Sequence, residues 1–269
     1  MSKRDKDANR MAEIQKNAFR GFPAKQGLYD PRNERDACGV GFVANLKGKA
    51  SHSIVEDGLQ ILKNLEHRGA VGADPLMGDG AGMLVQIPHE YFSEVCSEAG
   101  FDLPDAGQYG VAQVFLPNEP NLLDEVMQIA KSALEDEGLN VLGERRLEVD
   151  NSHLSQDPEI ASTEPVHHQF FVSSKDGDIT GDDFERKLYI ARKAVSNVIF
   201  NNTDARDSGF YIVSFSSRTI VYKGMFLADQ LGPYYADLQD KRFKSALALV
   251  HQRPRRECVC RKALVNKGK

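Results

Sequence analysis

The first 37 residues are polar and mixed in charge, and the apolar pattern begins abruptly at residue 38. Cys38-Gly-Val-Gly-Phe-Val-Ala-Asn45 reads as a buried strand, closed by a turn at Lys47-Gly48-Lys49. Ile54, Val55, Gly58, Ile61, Leu62 and Leu65 recur three or four apart. They predict a helix from Ser53, with Ser51 or Ser53 as N-cap and Gly69 as its stop. Met83–Ile87 is a second strand and Pro88–Glu98 a short helix. Gly110–Leu116 is a strand, Asn121–Glu137 a well-patterned helix, and Leu139–Val149 and His167–Ser173 are strands around a loop at 156–163. Asp182–Phe200 predicts a helix, and Tyr211–Ser216, Thr219–Tyr222 and Ser245–His251 close the series as strands. Strands and helices mix without regular alternation, so the fold class is α+β.

Composition narrows the function classes. Hydrophobic residues make up 41% and charged residues 27% of 269, the balance of an ordinary globular protein. A net charge of −5 gives no overall signature of a nucleic-acid binder. No run reaches the roughly 18 apolar residues of a membrane helix. The leader lacks an apolar core and carries Asp5, Asp7, Glu13, Asp30, Glu34 and Asp36. It therefore matches neither a secretory signal nor an acid-poor transit peptide, and a cytoplasmic location is the expectation. The four cysteines, Cys38, Cys96, Cys258 and Cys260, are too sparse for a disulfide framework and fit no zinc spacing.

Several positions carry candidate chemistry. Cys38 is either a small apolar residue opening a strand or, if the chain is cut after Ala37, an N-terminal nucleophile. In that second case its own α-amine, with a reference pKa of roughly 7.7 to 8.0, would take the thiol proton. Gly78-Asp-Gly-Ala-Gly82 leads into a strand rather than a helix, so a tight structural turn is favoured over a phosphate cradle. His67 and Arg68 suit the C-terminal end of a helix dipole. Adjacent His167 and His168 point to opposite faces of a strand and cannot share a metal. Cys258-Val-Cys260, among Arg255, Arg256 and Arg261, is a two-ligand pair in a tail expected to be disordered, and no metal site is assigned.

Taken together, three segments closely resemble glutamate synthase large subunits. They are Asp36-Ala-Cys-Gly-Val-Gly-Phe42, the run from Leu65-Glu-His-Arg-Gly to Met-Gly-Asp-Gly-Ala-Gly82, and Ser245-Ala-Leu-Ala-Leu-Val-His-Gln-Arg253. Lys223-Gly-Met-Phe-Leu-Ala-Asp-Gln230 resembles the segment preceding the last of these. The resemblance implies a class II glutamine amidotransferase domain with the N-terminal nucleophile hydrolase fold, a four-layer α/β/β/α sandwich, here incomplete at its C-terminal end. It implies a propeptide over 1–37, the domain over 38–253 and a basic tail of non-family sequence over 254–269. It also implies Cys38 as nucleophile, Arg68 beside it, and Arg253 paired with the carboxylate of glutamine.

In such proteins ammonia released from glutamine passes to a downstream domain that aminates 2-oxoglutarate with FMN and an iron–sulfur cluster. An electron-donating subunit or ferredoxin supplies the electrons. None of that downstream machinery is expected within these residues. The family text also departs at Pro254, before the asparagine and glycine that form its oxyanion hole. The 269 residues alone are therefore expected to have little glutaminase activity and to leave sheet surface uncovered. The alternative reading is a non-catalytic fragment, or a remnant that binds a partner through that surface.

Overall fold

The computed structural model describes residues 39–66, 74–177, 179–202 and 205–252. Their elements run β1 (Gly39–Ala44), α1 (His52–Asn64), β2 (Ala81–Gln86), α2 (His89–Glu98), β3 (Tyr109–Leu116), α3 (Pro120–Asp136) and β4 (Leu139–Arg146). Then follow α4 (Pro158–Ala161), β5 (Val166–Ser174), α5 (Gly181–Asn201), β6 (Tyr211–Ser216), β7 (Thr219–Gly224), α6 (Leu231–Tyr234), α7 (Ala236–Gln239) and β8 (Leu247–Gln252).

The strands form two antiparallel four-stranded sheets, ordered β1-β8-β2-β7 and β4-β5-β3-β6. The β6–β7 hairpin crosses from the second sheet to the first. Its turn is tied down by Glu185 of α5, whose carboxylate accepts from the Ser217 N–H and hydroxyl, both at 2.6 Å. The α+β class holds, with two stacked sheets and helices as the resemblance implied.

Burial follows from how each sheet is covered. In the second sheet, β3 and β5 are buried along almost their whole length, because both faces are packed. One face meets α3 and α5 through Val114, Leu116, Val126, Leu134, Phe170, Val172, Phe184 and Leu188. Val111 and Phe171 point the other way, into a cluster shared with Met83, Val85, Tyr222 and Val250 of the first sheet and with Val55, Leu62 and Phe92. The first sheet alternates instead. In β2 every second residue is buried, and in β1 and β8 the intervening side chains face outward. On that outward face Val40 is 62% exposed, Phe42 74% and Leu249 40%.

The position of α1 depends on Gly58. A Cβ there would lie 2.7 Å from the Ala248 Cβ and 3.3 Å from the Met83 sulfur, so the missing side chain lets the helix settle directly on β8 and β2.

Several expectations need correction. The 156–163 loop contains α4, because the Asp157 carboxylate caps the Glu159 N–H at 2.9 Å and Pro158 occupies the first turn. The strand expected to reach Val149 ends as β4 at Arg146; Val149 then bridges to Tyr235 rather than continuing beside β5. The first helix starts one residue early and ends at Asn64, and Ser51 at its N-cap makes no side-chain cap bond. Helices α6 and α7, of four residues each, had no legible period. The propeptide span, the 254–269 tail with Cys258 and Cys260, and the Gly69 stop lie outside the described residues.

Candidate active site

The four segments that carry the resemblance arrive at one end of the first sheet. Gln252 of β8 is in register with Gly39 of β1 on one side and with Ala81 of β2 on the other, and Ala81 is in turn opposite Gly224 of β7. The row Gly39–Gln252–Ala81–Gly224 therefore crosses the whole sheet, with Gly39 and Ala81 about 10 Å apart across two strand spacings. Antiparallel pairing produces this: β1 and β2 begin where β7 and β8 end. The next row, Val40–His251–Gly82–Lys223, faces the open side.

Cys38, Arg68 and Arg253, the three residues assigned to the site from sequence, lie outside the described residues. Cys38 is the chain neighbour of Gly39, and Arg253 that of Gln252. What the structure brings together is thus the sequence positions immediately beside two of the three.

Two glutamines within the resembling segments were given no role from sequence. Gln252 is 1% exposed, and its carboxamide oxygen has no hydrogen-bond donor among the described residues. Gln230 is 4% exposed and fully engaged. Its Nε2 donates to the carbonyls of Leu76 and His153, both at 3.0 Å, and its Oε1 accepts from the Leu227 N–H at 2.8 Å.

The glycine-rich stretch behaves as a structural turn. Gly78 is buried under the 226–227 backbone, and a Cβ there would lie 2.1 Å from the Phe226 carbonyl carbon and oxygen. The stretch enters β2 and no helix begins there, so it lacks the helix N-terminus of a phosphate cradle.

Behind the row lies a polar interior. His167 Nε2 is 2.9 Å from the Tyr234 hydroxyl, and its Nδ1 is 3.0 Å from that of Tyr235. Tyr234 donates to Glu164 at 2.7 Å and Tyr235 to the Lys223 carbonyl at 2.9 Å, so both hydroxyls turn a lone pair toward the ring, and a neutral imidazole can donate to one of them. Burial pushes His167 down to about 4, and it is neutral at physiological pH. His168 points the opposite way, against Phe170 and Glu144, which bears out the separation of the two rings. Among the described residues no group of three or more His, Cys, Asp or Glu is placed to hold a metal ion, and no helix is long and apolar enough to cross a membrane.

Known proteins give this arrangement a family. The family model for class-II glutamine amidotransferases matches residues 38–259. The chain is 41% identical over 235 residues to the NADPH glutamate synthase large chain of Bacillus subtilis, covering 87% of this chain and 15% of that one. It is 41% identical over 226 residues to ferredoxin-dependent glutamate synthase 2, chloroplastic, of Arabidopsis thaliana, covering 84% and 14%. Against the NADH glutamate synthase of Schizosaccharomyces pombe it is 39% identical over 237 residues, covering 86% and 11%. The chain thus spans about one-seventh or less of the length of these relatives. With the match beginning at the residue before β1 and running through all eight strands, the chain belongs to the class-II glutamine amidotransferases.

Proposed function

We propose that this chain supplies the glutamine-hydrolysing part of a glutamate synthase, releasing ammonia for the amination of 2-oxoglutarate. The observation that carries the reading is the cross-strand row, which gathers four separate motif segments at one sheet end next to Cys38 and Arg253 in the chain. In this reading the 1–37 leader is removed and the freed α-amine of Cys38 takes the thiol proton. The thiolate adds to the γ-carboxamide carbon of glutamine. The carbon–nitrogen bond breaks, and the leaving nitrogen collects the proton held on the amine. Water then cleaves the γ-glutamyl thioester, giving glutamate and restoring the thiol. Arg253 pairs with the substrate α-carboxylate and Arg68 supports the nucleophile.

FMN and an iron–sulfur cluster belong, in this proposal, to the remainder of such a protein. Among the described residues the one cysteine is the buried Cys96, which offers no thiolate set for a cluster. Ferredoxin or an electron-donating subunit would serve the same remainder, in keeping with the names of the relatives. A cytoplasmic location is proposed from the acid-containing leader alone.

The exposed face of Val40, Phe42 and Leu249 favours a second reading, a non-catalytic protein that binds a partner there. A diazoketone analogue of glutamine separates the two. Stoichiometric attachment at Cys38, suppressed by glutamine and accompanied by an N-terminus at Cys38, is the expected result. A protein that stays unmodified under saturating reagent would sink the enzymatic reading.

A further inference from the structure

We infer that Gln230 is a positioning residue for the amidotransferase site, an inference that rests on the function proposed above. Three loops meet at its side chain: 74–78, which feeds the glycine-rich entry to β2; 150–155, which follows β4; and 225–230, which follows β7. The carboxamide reaches all three at once, donating to Leu76 O and His153 O and accepting from Leu227 N–H.

Other contacts make the junction stiff. The Asp74 carboxylate accepts from the Leu76 N–H at 2.8 Å and from the Ser155 hydroxyl. Gly78 lies so close to the Phe226–Leu227 backbone that no Cβ fits between the two loops. Phe226 in turn packs at a tilt against Tyr234, its ring centroid 4.6 Å away. Three residues beyond Gly78, Ala81 enters the row beside Gln252. Gln230 therefore holds the approach to that row from outside it, without belonging to the row. No other side-chain type of this length offers two donors and an acceptor from one planar group. Glutamate keeps the shape but, ionised, cannot donate to either carbonyl; methionine keeps the length with no hydrogen bond.

The test uses the full chain with Gln230→Glu and Gln230→Met, the second guarding against a fold lost to a buried charge. Two quantities are measured: hydrogen exchange of residues 74–80, and capture of Cys38 by the diazoketone analogue as a function of its concentration. A general thiol reagent serves as control. Expected are faster exchange over 74–80 and a roughly tenfold higher half-saturating concentration of the analogue. The final labelled fraction and the rate with the general reagent should match wild type, which a merely unfolded fraction would not allow. Faster exchange with unchanged half-saturation overturns the positioning role, and unchanged exchange overturns the clamp itself. A wild-type chain that shows no saturable capture defeats the functional reading and this inference together.

Discussion

The Arg145 guanidinium grips both carboxylate oxygens of Asp237 in the interior, Nη2 on Oδ2 at 2.5 Å and Nη1 on Oδ1 at 3.2 Å. Tyr91 and Tyr222 each donate to one of the same oxygens, at 2.8 and 2.7 Å, and Gln169 Oε1 accepts from Arg145 at 2.8 and 3.1 Å. Burial works against the charge on Arg145, but Asp237, with Tyr222 and Tyr91 beside it, outweighs that, so the guanidinium stays charged. One buried polar knot thus joins β4, β5, α2, α7 and β7.

Removing one partner from this knot strands the other charge. Asp237→Leu or Arg145→Met alone is expected to lower unfolding free energy by about 3–5 kcal/mol in urea titrations. The double replacement should lose distinctly less than the two single losses added together, because no uncompensated charge remains. A strictly additive double variant would show that the two groups are not coupled.

Gly78→Ala should destabilise by at least about 2 kcal/mol, since its methyl group collides with backbone rather than with a side chain that could turn aside. Gly48, with φ of 67° and open space around its Cβ position, is the comparison. Its change to alanine carries only the backbone penalty, about 1 kcal/mol. Equal losses at the two sites in thermal unfolding would contradict the close approach of the 78 and 226 loops.

The acid dependence of stability tests the buried histidine. His167 titrates at about 4 when folded and near 6.5 when unfolded. Between those values the unfolded chain binds more protons, so stability drops as pH falls from 6.5 and levels off below 4. The full effect is about 3 kcal/mol. Replacing His167 by Phe should remove that share of the pH dependence and leave the share from His168, which burial also lowers to about 4. An unchanged slope in chemical denaturation at pH 4 to 7 would place His167 in water.

Cys96 should be inert in the native protein. It is fully buried on α2, and burial pushes its thiol up to about 12. At pH 8 only about one molecule in ten thousand would carry the thiolate. Mass spectrometry after brief alkylation should find Cys96 unmodified until denaturant is added. Rapid labelling without denaturant would mean that α2 opens readily from the core.

The chain alone made most of the fold legible. Each strand and each long helix was readable because periods of two and of three to four follow directly from one-sided burial, and the amphipathic runs of α1, α3 and α5 are unambiguous. The motif residues were readable too, as a set of segments with a shared resemblance. Gln230 was not. A lone glutamine among turns carries no periodic signal, and its role exists only where three loops meet.

Local order along the chain, then, was decided by the sequence, since a residue's preference for helix, strand or turn depends on near neighbours. Which strands lie side by side was decided by tertiary structure. Gly39, Ala81, Gly224 and Gln252 are separated by up to 213 positions and become one row only when β8 inserts between β1 and β2. The same holds for Arg145 and Asp237, whose pairing requires both sheets to close over them. Such contacts depend on packing of distant surfaces, which short-range patterning does not encode.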